Sequence, residues 1–213
     1  IKKIDWNSCI DNNNIFLKYD FLKLLETSGS VSNQTGWTPI YLTINNKDNT
    51  IACVAAYIKT HSQGEYVFDH AWADAYYRMG DKYYPKLLIA SPFTPVSGSR
   101  LLVHPKSANN NTKEILIDAL INLAKNLNLS SLHINFCLED ETKLLIKKGF
   151  LLRYGEQFHF YNRKYTSFND FLNQLSSRKR KKILKERNYI ARNNIEIKII
   201  EGKKATNFEW EFL

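Results

Sequence analysis

Apolar residues recur along this chain with two periods, and the switches between them mark out the elements. Phe21, Leu22, Leu24 and Leu25 fall on one face at helical spacing and predict a helix over Tyr19–Thr27, closed by Gly29. Pro39–Ile44 and Ile51–Lys59 read as strands, and the polar run 45–50 between them predicts an antiparallel hairpin. From His61 to Pro95 the pattern breaks into short pieces too rich in Tyr, Trp and Asp for an ordinary connector, so a site is expected there. Leu87 to Val103 reads as one strand interrupted by Pro92 and Pro95. Proline cannot donate to a ladder, which predicts a bulge or a splayed edge.

Further on, Ile115, Leu116, Ala119, Leu120, Leu123 and Leu127 give the inward face of a helix over Thr112–Leu127, with Asn111 as cap and Glu114 completing a capping box. Ser131–Cys137 reads as a strand and Glu139–Lys148 as a helix ending at Gly149. Phe150–Arg153 and Gln157–Tyr161 read as a hairpin turning at Tyr154-Gly155. The order is that of a mixed α/β fold. Beyond Arg163, Thr166 or Ser167 caps a short helix with Phe168, Phe171, Leu172 and Leu175 inward, and Ser176-Ser177 opens a second helix to about Arg192. Ile195, Ile197 and Ile199 then alternate with charged residues, which predicts a strand. A domain boundary is placed near Lys164, dividing the chain into 1–163 and 164–213.

Composition narrows the classes. In 213 residues, 44% hydrophobic and 13% aromatic content is enough for a packed core and excludes wholesale disorder. The net charge is +9, and it is concentrated: Arg178 to Lys204 holds 11 basic residues against three acidic ones, a local +8. Such a stretch points to phosphate-rich or otherwise acidic partners. Cys9, Cys53 and Cys137 are spaced neither as a disulfide framework nor as a CxxC metal site, so a reducing cytoplasm is expected. There is no apolar run of transmembrane length and no signal sequence. The first residue is not Met and the end at Asn207–Leu213 reads as mid-element, which suggests a piece of a longer chain. The short Asn12–Asn14 and Asn109–Asn111 runs read as loop composition. No zinc-protease, EF-hand, phosphate-loop, dinucleotide or nucleophile-elbow motif is present, so neither a metal nor a nicotinamide cofactor is expected.

A series of motifs then carries a resemblance. Gly36-Trp37-Thr38-Pro39, His61 to Asp69 (HSQGEYVFD), Ala71 to Tyr76 (AWADAY), Tyr84-Pro85-Lys86-Leu87, Pro92 to Val96 (PFTPV) and Gly98 are followed by Gln157-Phe158-His159 and the Ser176 to Lys181 run (SSRKRK). In this order they resemble the FemAB-like N-acyltransferases of the GNAT superfamily, over most of the chain. The resemblance implies a GNAT-type fold, with 1–163 as one such domain and 164–213 as the opening of a second. Relatives of the FemAB type move an amino acid from aminoacyl-tRNA to an amino group of a peptidoglycan precursor. Ordinary GNAT members use acetyl-CoA, whose pyrophosphate rests on a glycine-bearing Arg/Gln-x-x-Gly-x-Gly/Ala loop. The corresponding loop here, His104 to Asn111, has no glycine, which weighs towards another donor, although Asn also adopts positive φ.

Acyl transfer to an amine needs a proton acceptor and a donor for the developing oxyanion. Glu65, Asp69 and His159 are the catalytic candidates. In an extended segment Glu65, Val67 and Asp69 share one face, and apolar surroundings would raise a carboxyl pKa there. The other reading of these carboxylates is that they cap helices or pair with Arg78, Lys82 and Lys86. His61, Tyr66, Trp72, Asp74, Tyr84, Lys86, Thr94, Arg100 and Gln157 are the substrate-binding candidates; the face of Gln157, His159 and Tyr161 either meets substrate or is simply solvated. On the basic helix Arg178, Lys181, Lys182, Lys185 and Arg192 gather on one side, opposite Ile183, Leu184, Ile190 and Ala191 as the expected buried side. Arg180 and Arg187 fall among the apolar residues and need an anionic partner, either a carboxylate of the chain or a ligand phosphate. Arg178, Arg180, Lys181, Lys182, Lys185 and Arg187 are the candidates for RNA or phosphate. The resemblance gives aminoacyl-tRNA as donor, with acetyl-CoA as the alternative, no further cofactor, and a peptide or cell-wall precursor as acceptor. From another class stands a non-catalytic RNA-binding or scaffolding module. The oligomeric state is not legible.

Overall fold

β1 (Trp37–Asn46) and β2 (Asn49–Lys59) form the expected antiparallel hairpin, with Trp37 opposite Lys59 and a bulge after Ile44. The computed structural model describes residues 1–11, 14–47, 49–108 and 110–212, without the side chain of Asn110. Asn12, Asn13, Asp48, Asn109 and Leu213 lie outside them, and with them parts of both asparagine runs, of the hairpin turn and of the loop before the long helix.

β2 is the spine of the sheet because its alternation feeds two cores. Cys53, Ala55 and Tyr57 face one side, where Trp6 from α1 (Lys3–Asn7), Leu22 from α2 (Tyr19–Thr27) and Trp37 pack. Ala52, Val54 and Ala56 face the other, against Leu116 and Leu120 of α4 (Asn110–Asn126) and Leu144 and Leu145 of α5 (Glu139–Lys147). A strand covered on both faces reads as a continuous apolar run, as Ile51–Ile58 does.

The strand expected from Leu87 to Val103 is present in two pieces, β3 (Lys86–Ile89) and β4 (Leu102–Val103), both antiparallel to β2. Ala56 faces Ile89 and Cys53 faces Leu102, so three steps along β2 correspond to thirteen along its partner. The excess is a looped-out segment carrying both prolines. Arg100 pins it. Buried, its guanidinium donates to the carbonyls of Val96 (2.6 Å), Asn135 (2.8 Å), Gly98 (3.1 Å) and Ser99 (3.3 Å). The Glu141 carboxylate of α5 accepts from the backbone N–H groups of Arg100 and Leu101 at 2.9 Å each. β5 (Leu132–Ile134) adds to β3 in parallel, giving a mixed sheet in the order β1-β2-β3-β5 with β4 also beside β2.

Several expectations are corrected. α3 (His70–Arg78) forms inside the stretch that showed only short periodic pieces. Asn111 is not the cap of α4 but its second residue. The segment 150–161 makes no hairpin and 195–199 no strand. Period-two alternation chooses faces but does not supply a ladder partner, and Ile195, Ile197 and Ile199 stay exposed.

The chain divides into two units, Ile1–Gly155 and Glu156–Leu213. The second holds α6 (Phe168–Asn173), capped as expected by Ser167, whose Oγ accepts from Asp170 N, then α7 (Ser177–Arg192) and α8 (Asn207–Glu211). The expected buried side of α7 is not buried: Ile183 and Ile190 are half-covered, and Leu184 and Ala191 are exposed. A unit this small has little surface with which to cover a helix.

Candidate functional site

Lys59 and Lys86 stand directly opposite each other across β2 and β3, and neither side chain has any exposed surface. Two ammonium groups at cross-strand positions repel, and burial adds the cost of desolvation. The loop after β2 supplies the compensation. Lys86 Nζ is 2.6 Å from Asp69 Oδ2, 2.8 Å from Ser62 Oγ and 2.9 Å from Glu65 Oε2. The Tyr83 hydroxyl donates to Asp69 Oδ2 at 2.7 Å, and Ser62 Oγ shares a 2.7 Å hydrogen bond with the Tyr84 hydroxyl. Lys59 Nζ lies 3.7 Å over the Trp37 ring and donates to the Gln63 carbonyl at 3.2 Å.

The two carboxylates live in different conditions. For Asp69, burial works against ionisation but is outweighed by hydrogen bonds from Lys86, Ser62 and Tyr83, which hold its pKa at about 2. For Glu65, burial dominates and raises the pKa despite the charges of Lys86 and Lys59. Lys86 and Glu65 Oε2 form a buried ion pair at 2.9 Å. Glu65 Oε1 and Asp69 Oδ1 are buried with no hydrogen-bond partner among the described residues. Environments that push two carboxyl pKa values apart separate a fixed anion from a group able to exchange a proton. Burial, with the field of Lys86 next, lowers His133 to about 4 and keeps that ring neutral. Burial likewise depresses Lys59, to about 8.

Backbone strain surrounds the cluster. Gly64 has φ +77°, and a Cβ there would sit 2.7 Å from the Phe93 ring. Its carbonyl accepts from Phe93 N at 3.2 Å, tying the loop after β2 to the looped-out segment. Tyr66 and Phe93 both have φ 56°, a left-handed conformation unusual for aromatic residues.

Of the residues singled out from the sequence, Glu65, Asp69, Lys86 and Tyr84 meet in this cluster. Glu65 and Asp69 are 3% and 1% exposed against 53% and 77% for Tyr66 and Phe68, so the expected two faces exist although Tyr66 is not extended. His61 turns away. Its Nδ1 accepts from Gln63 N, which leaves the proton on Nε2 for the Thr35 carbonyl at 3.0 Å. Trp72 is exposed under the Arg153 guanidinium, and Asp74 is exposed on α3. Thr94 bonds the Pro92 carbonyl, and Arg100 clamps its own loop. Gln157 and His159 lie in the second unit, exposed and 3.3 Å apart. On α7, Arg178, Lys181, Lys182, Lys185 and Arg187 are exposed and Arg180 half-covered. Arg187 makes no ion pair with a carboxylate of the described residues; its guanidinium lies 4.2 Å over the Phe168 ring. Lys59 and Ser62 were not anticipated as site residues. A lysine ending an apolar strand, at the parity of core residues Ala55 and Tyr57, was the signal for Lys59.

The described part of the loop before α4 closes as a 3-10 turn, Pro105–Ser107, with His104 Nδ1 accepting from Lys106 N. None of residues 104–108 has positive φ. Among the described residues no three His, Cys, Asp or Glu side chains gather as a metal site, and no helix is long and apolar enough to cross a membrane.

Comparison with known proteins adds a family. The sequence model for FemAB-like proteins, described as peptidoglycan biosynthesis/recognition, matches residues 1–213. No curated protein matches significantly. Among solved structures the chain is similar to a predicted acetyltransferase from Clostridium acetobutylicum determined with acetyl-CoA, at 15% identity and TM-score 0.40, covering 76% of this chain and 84% of that one. It is also similar to an aminoglycoside 6'-N-acetyltransferase from Acinetobacter haemolyticus, at 14% identity and TM-score 0.36, covering 68% and 82%. A further aminoglycoside N-acetyltransferase, in complex with CoA, gives 13% identity and TM-score 0.37, covering 72% and 96%. Likenesses this shallow carry no chemistry.

Proposed function

The chain belongs to the FemAB-like family of peptidoglycan biosynthesis and recognition, and from that membership we propose that it is an N-acyltransferase. In this reading it moves an aminoacyl group from aminoacyl-tRNA to an amino group of a peptidoglycan or other cell-envelope precursor. The observation that carries the reading is Glu65: a buried carboxylate, its pKa raised by burial, with Oε2 paired to the Lys86 ammonium at 2.9 Å and Oε1 without a hydrogen-bond partner among the described residues.

The acceptor enters as an ammonium, and Glu65 removes its proton. The freed amine lone pair attacks the donor's ester carbonyl, a C–N bond forms, and the ester C–O bond to the ribose breaks, the second proton shed by the attacking nitrogen going to the leaving ribose oxygen. Asp69 does not exchange protons in this scheme; with Ser62 it holds Lys86, and Lys86 holds the field that tunes Glu65. The Tyr84 hydroxyl is the half-buried end of the cluster, and burial keeps it protonated, which suits it to donate to the carbonyl oxygen. His159 is the second candidate proton acceptor. Glu65→Gln and His159→Ala made separately distinguish the two.

The test is binding of an aminoacylated tRNA acceptor-stem minihelix across a salt series, with free CoA as competitor. Preference for the charged minihelix, unaffected by CoA, is expected. CoA binding without RNA binding would instead give a CoA-dependent acyltransferase. Equal binding of charged and uncharged RNA, with function surviving Glu65→Gln, Asp69→Asn and His159→Ala, would give a non-catalytic module.

A further inference from the structure

The second unit contains a feature outside the chemistry above. Phe160, Tyr165, Phe168 and Phe171 surround an open cleft of about 470 Å³ with Asn162, Thr166 and Ser167 on its wall. The rings pack on one another, Tyr165 and Phe171 5.6 Å apart at 79° and Phe160 and Phe171 5.8 Å apart at 72°, while Phe168 stays 41% exposed. Phe160 is 71% exposed. Asp170, the acidic group nearest in sequence, is turned into the helix start, where the Thr166 backbone N–H and hydroxyl both donate to it. The Arg187 guanidinium, 4.2 Å above Phe168, brings α7 to this edge. That helix carries eight basic residues and one acidic one.

We infer that this cleft is a nucleobase-stacking site and that α7 receives the phosphates of the same strand. Flat rings accept any base face, and a dense row of Lys and Arg neutralises a phosphodiester backbone; the two together are the requirements for holding single-stranded nucleic acid. An acidic peptide or an anionic membrane would satisfy the charge but not the stacking platform. The inference deepens the proposed donor reading, since it adds a base contact to an RNA donor, and rests on that reading only for its biological meaning.

The experiment uses the full chain and a fluorescein-labelled hexa-adenylate RNA, which carries no aminoacyl group, with an abasic oligonucleotide of equal charge as the control. Hexa-adenylate is expected to bind about tenfold or more tightly than the abasic strand, the effect of one stacked base. Phe160→Ala with Phe168→Ala should erase that preference while leaving the salt slope unchanged. Reversing charge at Lys181, Lys182 and Lys185 should weaken both strands and flatten the slope. Equal affinity for the two strands, or a preference untouched by the aromatic substitutions at unchanged circular dichroism, overturns the site. Displacement of the RNA by anionic phospholipid vesicles at lower charge concentration also overturns it, in favour of a membrane surface. Because hexa-adenylate carries no aminoacyl group, these readouts do not depend on transfer, so failure of the transferase reading and failure of this one are separately visible.

Discussion

Lys86 has two carboxylates within 3 Å, whereas Lys59, directly across the ladder, reaches a carbonyl and an indole ring. That difference makes Lys59 the costly charge. Its pKa of about 8 lies below the ordinary lysine value of 10.5, chiefly through burial. Below pH 8 both folded and unfolded chains hold the proton, and the folded state carries the full penalty, about 3 kcal/mol. Between pH 8 and 10.5 the unfolded state binds more protons, so stability rises. Lys59→Met should therefore raise the melting temperature at pH 7 and lose that gain by pH 10.5. The same substitution removes a charge that lowers the Glu65 pKa, so the acid limb of the rate profile should move to higher pH. Asp69 has the opposite sign. Its pKa of about 2 against an ordinary 3.8 gives stability that is full above pH 4 and lost as pH falls through 2, about 2 kcal/mol in all. Asp69→Asn leaves Lys86 buried with a weaker partner and should cost about 3–5 kcal/mol in denaturant melts. Glu65, Asp69, Tyr84 and Lys86 could be picked out from residue type and neighbours. Their division of labour could not, because it depends on which oxygen meets which ammonium.

The looped-out segment between β3 and β4 is held by charge where a ladder is missing. Glu141→Gln replaces a carboxylate that accepts from two backbone N–H groups by an amide with one acceptor oxygen. Faster hydrogen exchange across residues 90–101 is expected, with the amides of β2 unchanged and a loss of about 1–3 kcal/mol. Gly64→Ala acts from the other side. A left-handed φ and a Cβ 2.7 Å from Phe93 should cost about 1–3 kcal/mol and release Phe93, seen as a change in its ring resonances. The interruption of this strand was legible because proline has no N–H to give. The failure of the 150–161 hairpin was not, since its second arm, Gln157–Tyr161, alternates polar and apolar residues as well as Ile40–Ile44 of β1 does.

The first unit has its own two-sided core around β2, so residues 1–155 expressed alone should unfold cooperatively, with one transition in circular dichroism and fluorescence. The basic stretch belongs to the second unit, and the isolated first unit should bind RNA with a much smaller salt dependence. At this scale the chain's own sequence determined the mixed α/β class, the central hairpin, the helices over 19–27, 139–147 and 177–192, and the segregation of positive charge. Those follow from local periodicity, capping and composition, which act between residues close in the chain. Tertiary structure alone decided that Lys59 and Lys86 face each other, that Arg100 turns inward to clamp a loop, and that Glu65 is buried against Lys86 with its pKa raised. Each of these depends on residues tens of positions apart being desolvated together, and the free energy of a buried charge is set by the partners that reach it rather than by its neighbours in sequence.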